Sequence, residues 1–531
     1  MRLDYVSPLP PVRSGIADYS VDLLPHLAAE ADVRLIHLPD QPVAPEVAAR
    51  WPVVPFSEAG RDAEGPRLPL YQMGNNRWHE AVMRLAFEMP GVLTLHDILL
   101  HHVLLDVTLG RKEYAPYVER LTRDHGWVGR AAAVVKRWGA YGDAVVFSLP
   151  AHRALLRSQR GVLVHSEWAA GFLREEDPEI RVRAIPMGIP LPPPADAAAG
   201  RRIRERFGLP LDRPVLGSFG FQTPIKRTGA VIEALARPGL EEVHLLVVGE
   251  VSPAVDLEGA ARRAGVAERV HLTDFLPYED FEAAIAAVDL CLNLRHPTAG
   301  ETSASLLRVL AMGVPAIVSD YAQFADLPRE VALRVPLGDE EVDTLTARLG
   351  ELLARPERLR AMGEAARELV RSRHAPERSA AAVLAAVEEW SELPPPGEIP
   401  GGQPDVPAPS SLAWGRLDGS LEVEGAELPW PEGERRTLTL RLRNTGFARW
   451  LAGEKGPGGV AVVVKLFADG EDLLAGRPWL ALPRDLAPGE EVRFSTDVRR
   501  PPGAAWLWIE PQLFGGLGLS KYGGPHWELR L

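Results

Sequence analysis

The sequence predicts an α/β protein of two Rossmann-like halves, followed by an antiparallel β-sandwich. Three observations predict it. Short apolar runs alternate with helix-period stretches from the start to Trp390. The alternation pauses once, at a Pro- and Ala-rich stretch from Pro190 to Gly200, and then resumes. Beyond a second Pro/Gly-rich stretch, from Leu393 to Ser411, the pattern turns to short alternating runs rich in β-branched and aromatic residues.

In the first half, residues 1–190, the runs Arg2 to Val6, Val33 to His37, Val92 to Leu95, Gly161 to His165 and Arg181 to Ile185 read as buried strands. Strands spaced by helical patterns predict a parallel sheet wrapped by helices. The stretch Pro190 to Gly200 lacks periodicity and reads as a linker. In the second half, residues 191–392, the strands are Pro214 to Phe219, Val243 to Gly249, Val270 to Leu272, Leu290 to Leu294 and Ala316 to Ser319. Helices fall between them at Thr228 to Ala236 and Leu257 to Ala264, and the Ala/Leu/Glu-rich stretch Glu340 to Trp390 is helical. Such sheets bind ligands at the carboxyl ends of their strands, so a cleft between the halves is expected to hold the site. Residues 393–411 read as a semi-rigid linker and residues 412–531 as an accessory domain. Its strands are Leu421 to Val423, Arg436 to Asn444, Val460 to Phe467, Glu491 to Val498 and Trp506 to Phe514, with turns at Asn444-Thr445-Gly446 and Ala487-Pro488-Gly489.

Composition narrows the classes. A chain of 531 residues needs several domains. Its net charge of −13 gives no basic field for nucleic acid. The single cysteine, Cys291, excludes an internal disulfide and a multi-Cys zinc site, and its apolar strand marks it as a small core residue. No basic segment followed by an apolar run predicts a cleaved leader, and no apolar run reaches spanning length. The expectation is a cytoplasmic protein with no transmembrane segment. Peripheral contact with a membrane surface stays open.

The richest motif is Pro297-Thr298-Ala299-Gly300-Glu301-Thr302-Ser303-Ala304-Ser305. It follows a buried strand and runs into a helical pattern ending at Gly313-Val314-Pro315. Free backbone N–H groups and the positive helix end suit an anion there. Glu301 can accept hydrogen bonds from hydroxyls. Phosphate donors beside a hydroxyl acceptor point to a nucleotide-sugar site. Ser14 or Gly15, after the first strand, can start a helix facing the cleft; the alternative is an ordinary capped turn. His96-Asp97 ends a strand, where functional residues concentrate. A metal set from His96, Asp97, His101 and His102 lacks ligand spacing. Asn75, Asn76 and His79 are polar groups after an apolar strand, with either a binding or a supporting role. Lys226 and Arg227 end the loop after Phe219 and offer a point charge and a planar fork to a diphosphate. No Gly-x-Gly-x-x-Gly, P-loop or Asp-x-Asp pair is present.

These motifs, in this order, resemble the family 4 glycosyltransferases of the two-domain GT-B type. The resemblance covers roughly Met1 to Trp390. It also rests on Val164-His165-Ser166-Glu167, Ile185-Pro186-Met187-Gly188-Ile189 and Val247-Val248-Gly249. It implies a metal-independent, retaining hexosyltransferase that needs no cofactor. A nucleoside-diphosphate sugar would be the donor, and a glycan, glycolipid or similar molecule the acceptor, as in polysaccharide biosynthesis. By that likeness Gly15 lies against the donor phosphates and His96 near the donor sugar. Lys226, with Arg227 or a neighbouring residue, neutralises the pyrophosphate, and Glu301 holds sugar hydroxyls. The amides of Thr302 and Ser303 cap the phosphate, and backbone near Phe275 and Leu276 reads the base. Many relatives carry a second glutamate eight positions after the first. Here that position falls on Arg308 or Val309. Arg308 is then a phosphate ligand or a helix decoration.

The C-terminal piece resembles four-tryptophan-type β-sandwich domains. The likeness rests on Asn444-Thr445-Gly446-Phe447-Ala448-Arg449-Trp450 and on Leu482 to Glu490. Trp479, Trp506, Trp508 and Trp527 are expected mostly in its core, the alternative being stacking on sugar rings. A non-enzymatic reading stands beside the transferase: a degenerate GT-B protein acting as a glycan-binding or assembly factor, to which the missing glutamate would point.

Overall fold

The computed structural model describes all residues except 61–62, 138–143, 194–195, 400–416, 418, 446–448, 454–458, 469–470, 475–478 and 514–524. Two compact units result: residues 1–117 with 142–399, and residues 118–141 with 400–531.

The first unit holds two parallel sheets. One contains β1 (Arg2–Val6), β2 (Asp32–His37), β3 (Val53–Pro55), β4 (Leu68–Met73), β5 (Val92–Leu95), β6 (Gly161–Val164) and β7 (Val182–Ala184), in the order β3-β2-β1-β4-β5-β6-β7. The other contains β8 (Val215–Phe219), β9 (His244–Val248), β10 (Val270–Leu272), β11 (Leu290–Asn293), β12 (Ala316–Ser319) and β13 (Ala332–Val335), in the order β10-β9-β8-β11-β12-β13. The central strands are buried along their length, as helices on both faces require. In β1 this burial includes Asp4, whose carboxylate is met by Arg34 Nε at 2.6 Å and Arg67 Nε at 3.0 Å. A buried carboxylate is tolerable only when so paired.

Cysteine 291 is a buried residue of β11, in keeping with a core role. Three differences from the sequence reading stand out. The stretch Glu340 to Trp390 is three helices, Glu341–Leu353, Pro356–Arg373 and Pro376–Trp390. Pro356 and Pro376 each open a helix, where a missing N–H costs nothing. The stretch Pro190 to Gly200 is not a linker throughout, because helix Ala197–Arg206 starts inside it with Asp196 capping Ala198 N at 2.9 Å. Helix Pro376–Trp390 also returns to the first sheet. Trp390 packs against Gly161 of β6, and Glu389 pairs with Arg183 of β7 at 2.5 Å.

The second unit contains β14 (Gly419–Glu424), β15 (Arg435–Asn444), β16 (Leu451–Ala452), β17 (Gly459–Ala468), β18 (Glu471–Asp472), β19 (Trp479–Ala481), β20 (Glu491–Arg499), β21 (Trp506–Leu513) and β22 (Trp527–Arg530). One sheet runs β14-β15-β20 and the other β16-β17-β21-β22, with β18 and β19 pairing on β17. Both are antiparallel except where β16 meets β17, and they share one core that includes Leu438, Leu440, Val462, Val464, Leu507 and Ile509. The tryptophans depart from expectation. Among the described residues of this unit, Trp430 and Trp450 are the buried tryptophans, whereas Trp479 and Trp506 are exposed, Trp508 is half-buried, and Trp527 is half-buried against the core. Strand alternation explains it for β21: Leu507 and Ile509 face the core, so Trp506 and Trp508 face away. Gly446, Phe447 and Ala448 of the Asn-Thr-Gly signature, Phe514 of the expected last long strand and most of the second linker lie outside the described residues.

Candidate active site

The carboxyl ends of β8 and β11 build one wall. Beyond β8 the chain turns at Gly220, whose φ of +88° a residue with a side chain rarely adopts. A 3-10 turn, Pro224–Lys226, then aims Lys226 back under the strand end. Its ammonium donates to Phe219 O and lies 3.2 Å from where a Cβ on Gly220 would sit, with Ser305 Oγ 3.7 Å from the same point. Lys226 is buried. Burial, and then the positive field of Arg295, bring its pKa down to about 7. Arg227 behaves differently from expectation. Its guanidinium is clasped by the buried Glu341, with Nε 2.6 and 2.8 Å from the two carboxylate oxygens. The Nε–Nη2 edge of the fork expected on a pyrophosphate is already taken by Glu341.

Beyond β11 comes the loop 294–303. Arg295 Nη1 lies 2.5 Å from Glu301 Oε1, and its Nη2 3.3 Å from Ser303 Oγ. Glu301 Oε2 accepts from Thr298 Oγ1 and Ala299 N, each at 2.9 Å. Glu301 therefore anchors its own loop, and further hydroxyl donors must share its remaining lone pairs. Ser303 caps helix Ala304–Ala311 by accepting from Leu306 N at 3.2 Å. Thr302 precedes it, half-buried, and its hydroxyl hydrogen-bonds to no described residue. Arg295 is the site residue that sequence reasoning missed. A cation two positions past the end of a buried strand was the available signal.

The first half supplies the facing wall. Ser14 caps helix Gly15–Ala28, and nothing lies within 4 Å of a Cβ placed on Gly15, so the backbone there is open to a ligand. His96 is enclosed. Its Nε2 lies 3.0 Å from Gln72 Oε1 and its Nδ1 3.2 Å from His165 Nε2, with the Tyr19 ring edge-on at 4.9 Å. Both ring nitrogens already face protein groups, so the expected sugar contact needs one of them to be exchanged. Burial first, then His165, hold the His96 pKa well below the usual histidine range. Asp97 sits beside it at the junction of the halves: Ile98 N and Leu99 N donate to Ala299 O at 2.8 and 3.3 Å. Gly300, at φ +76°, leaves room there for Ile98, which a Cβ would strike. Asn75, Asn76, His101 and His102 have supporting contacts. Asn75 Nδ2 meets His102 Nδ1 at 2.8 Å, Asn76 caps Trp78 N at 3.0 Å, and His101 meets Leu149 O at 2.7 Å and Tyr117 OH at 2.8 Å. These side chains turn to different partners rather than converge on a metal.

At the far end of the cleft Phe275 is exposed under the Arg13 guanidinium, 5.0 Å from its ring centre, while Leu276 is buried. Arg308 crosses between the halves. Its Nη2 lies 3.0 Å from Asp22 Oδ2 and its Nη1 2.6 Å from Tyr278 OH. A phosphate would have to compete for that guanidinium. A cavity of about 410 Å³ opens at the amino end of helix Ala304–Ala311, where His165, Ser166, Thr302, Ser303, Phe324 and Arg373 line it.

Solved structures share this arrangement of two facing sheets. Sucrose-phosphate synthase from Thermosynechococcus elongatus superposes with a TM-score of 0.53 at 20% identity, over 74% of this chain and 99% of that one. The Anabaena protein HepE, in complex with UDP and glucose, does so with a TM-score of 0.52 at 14% identity, over 73% of this chain and 100% of that one. The first unit has the GT-B fold. Within this GT-B unit, residues 227–385 match a family described as glycosyl transferase-like. Among characterised proteins, the GDP-mannose-dependent α-(1-6)-phosphatidylinositol monomannoside mannosyltransferase of Mycolicibacterium smegmatis is 29% identical over 273 residues, 49% of this chain and 66% of that protein. The D-inositol 3-phosphate glycosyltransferase of Segniliparus rotundus is 30% identical over 221 residues, 38% of this chain and 46% of that protein. The chain thus matches less than two thirds of the length of each.

Proposed function

We propose that the chain is a glycosyltransferase of family 4 type, moving a hexose from a nucleoside-diphosphate sugar to a hydroxyl of a glycan, glycolipid or similar acceptor. One observation carries the reading. Two cations, Lys226 and Arg295, and the amino end of helix Ala304–Ala311 meet beside Glu301 at the carboxyl ends of β8 and β11. Anion receptors next to a carboxylate match a donor that is diphosphate at one end and polyol at the other. The relatives above, each named for sugar transfer, support it.

The chemistry asked of the protein is modest. Charge builds on the leaving diphosphate as the anomeric C–O bond breaks. Lys226, Arg295 and the helix amides are held in place to meet that charge without reorganising. No side chain need form a covalent intermediate, and fixed cations do the work that a divalent metal does elsewhere. Transfer with retention of configuration is part of the proposal, with the departing phosphate taking the acceptor proton. No helix among the described residues is long and apolar enough to cross a membrane. Action in the cytoplasm, with a membrane surface presenting a lipid-linked acceptor, completes the reading.

A thermal-shift screen with UDP, GDP, ADP and TDP sugars, with and without chelator, tests it. Ligand at a hundred times its Kd should stabilise the native state by about 2.7 kcal/mol. A shift with one base, unchanged by chelator and followed by sugar release, is the expected result. No shift with any donor would leave the degenerate, glycan-binding reading, in which substitutions at Lys226 and Glu301 leave glycan affinity unchanged.

A further inference from the structure

We infer that Asp97 receives the acceptor: its open carboxylate oxygen takes a hydrogen bond from the attacking hydroxyl and holds it against the donor sugar. The inference rests on the transferase reading and adds a residue from the opposite wall.

The geometry carries it. Asp97 Oδ2 accepts from Asn75 N at 3.0 Å, which fixes the carboxylate on its strand end. The other oxygen takes no hydrogen bond from any described residue. In its neighbours this is unusual. Glu301 spends both oxygens on Arg295, Thr298 and Ala299, and His96 spends both nitrogens on Gln72 and His165. Asp97 is thus the carboxylate of this cluster with an acceptor atom to spare.

Its position is equally specific. The next two residues donate to Ala299 O, so Asp97 stands where the first half meets the donor loop. Glu301 and Arg295 lie close enough to act on its charge, and Lys226 feels the same two residues. A sugar whose phosphate sits on Lys226 and Arg295 therefore has Asp97 across from it. Burial, then the negative field of Glu301, raise the Asp97 pKa to about 7, against the pull of Asn75 N–H and Arg295. Asp97 is half-buried, and its second oxygen, without a described protein partner, is open to a hydroxyl donor. The chemical class of acceptor follows. It must offer a hydroxyl donor to a carboxylate, and it must enter from the first half.

The test separates transfer from donor breakdown. Purified full-length wild-type protein, D97N and D97E are given the donor found in the thermal-shift screen, with and without glycerol, myo-inositol and methyl glucoside at high concentration. Donor hydrolysis, in which water replaces the acceptor, and transfer are both counted. In D97N the amide oxygen can keep the Asn75 contact while an NH2 group, a donor, faces the cleft. Transfer should then fall roughly 10- to 100-fold, with the donor-induced melting shift and hydrolysis within about 3-fold of wild type. D97E should recover part of the transfer. Equal loss of transfer and hydrolysis, or unchanged transfer, overturns the inference while leaving the transferase reading intact. Wild type that neither binds nor hydrolyses any donor overturns both.

Discussion

Raising the pH should weaken donor binding through one side chain, Lys226. Burial and the nearby Arg295 lower its pKa to about 7 in the unliganded protein. Only the ammonium form suits a diphosphate, and the bound diphosphate in turn favours that form. Binding above pH 7 must therefore be accompanied by proton uptake. With a pKa of about 7 the side chain is roughly half protonated at pH 7 and about 3% protonated at pH 8.5, so affinity should drop about 15-fold across that interval. This is about 1.6 kcal/mol of binding free energy.

The assay is isothermal titration calorimetry of an intact nucleotide sugar in buffers of different ionisation enthalpy. A sugar diphosphate diester is chosen because it has no phosphate titration in this range. Proton uptake should rise from roughly 0.5 at pH 7 toward about 1 at pH 8.5. Asp97 titrates in the same window, so a control is needed. K226M should bind more weakly at pH 7 and show a much flatter profile. Folding stability should change in the opposite direction. A lysine whose folded pKa lies below its unfolded value leaves the unfolded chain with more bound protons, so between about pH 7 and 10.4 stability rises with pH. A flat wild-type affinity profile, or an equal slope in K226M, would refute the assignment of Lys226 to the diphosphate.

Other perturbations probe the framework. Arg227→Ala should cost about 3 kcal/mol, read by denaturant unfolding, because Glu341 would be left buried and unpaired. Donor affinity should survive when measured at a temperature where the variant is folded. Glu301→Ala strips the 2.5 Å partner from Arg295 and two anchors from the loop. It should lower stability by roughly 1–3 kcal/mol and abolish sugar transfer, checked by melting and product assay. Gly300→Ala combines a φ of +76° with a clash at Ile98, so it should loosen the junction of the halves, seen as faster amide exchange at Ile98 and Leu99.

Legibility in the sequence followed locality. The buried runs of β1, β5, β8 and β11 announced themselves because a parallel strand covered on both faces must be apolar along its length. Val53–Pro55, three residues at a sheet edge, carries too little pattern to be heard. The prolines that divide the long helical stretch were visible, but Ala/Leu/Glu periodicity continues through them. Lys226, Glu301 and Gly15 stood out because strand-to-helix turns concentrate polar groups. What those residues touch was not readable. That Arg227 belongs to Glu341, 114 positions away, is a tertiary fact with no local signature. The same holds for His96, whose partners Gln72 and His165 come from the ends of neighbouring strands.

Arg308 shows how a departure from a family pattern acquires meaning only in three dimensions. In sequence it is a cation where a glutamate is expected. In the structure its guanidinium lies over the Tyr278 ring at 5.0 Å and reaches Asp22, 286 positions away on helix Gly15–Ala28. Charge at this point of the cleft is therefore arranged differently rather than deleted. A carboxylate is still present, contributed by the opposite half and held by the arginine. Asp18, one turn earlier on the same helix, also feels Arg308. Burial raises the pKa of both aspartates while the arginine lowers it. Removing the arginine alone should then drive both upward. R308Q is expected to strengthen proton binding at Asp18 and Asp22, observable as a shift of their carboxyl carbon resonances to higher pH. Unchanged titration would mean that Arg308 decorates the helix after all.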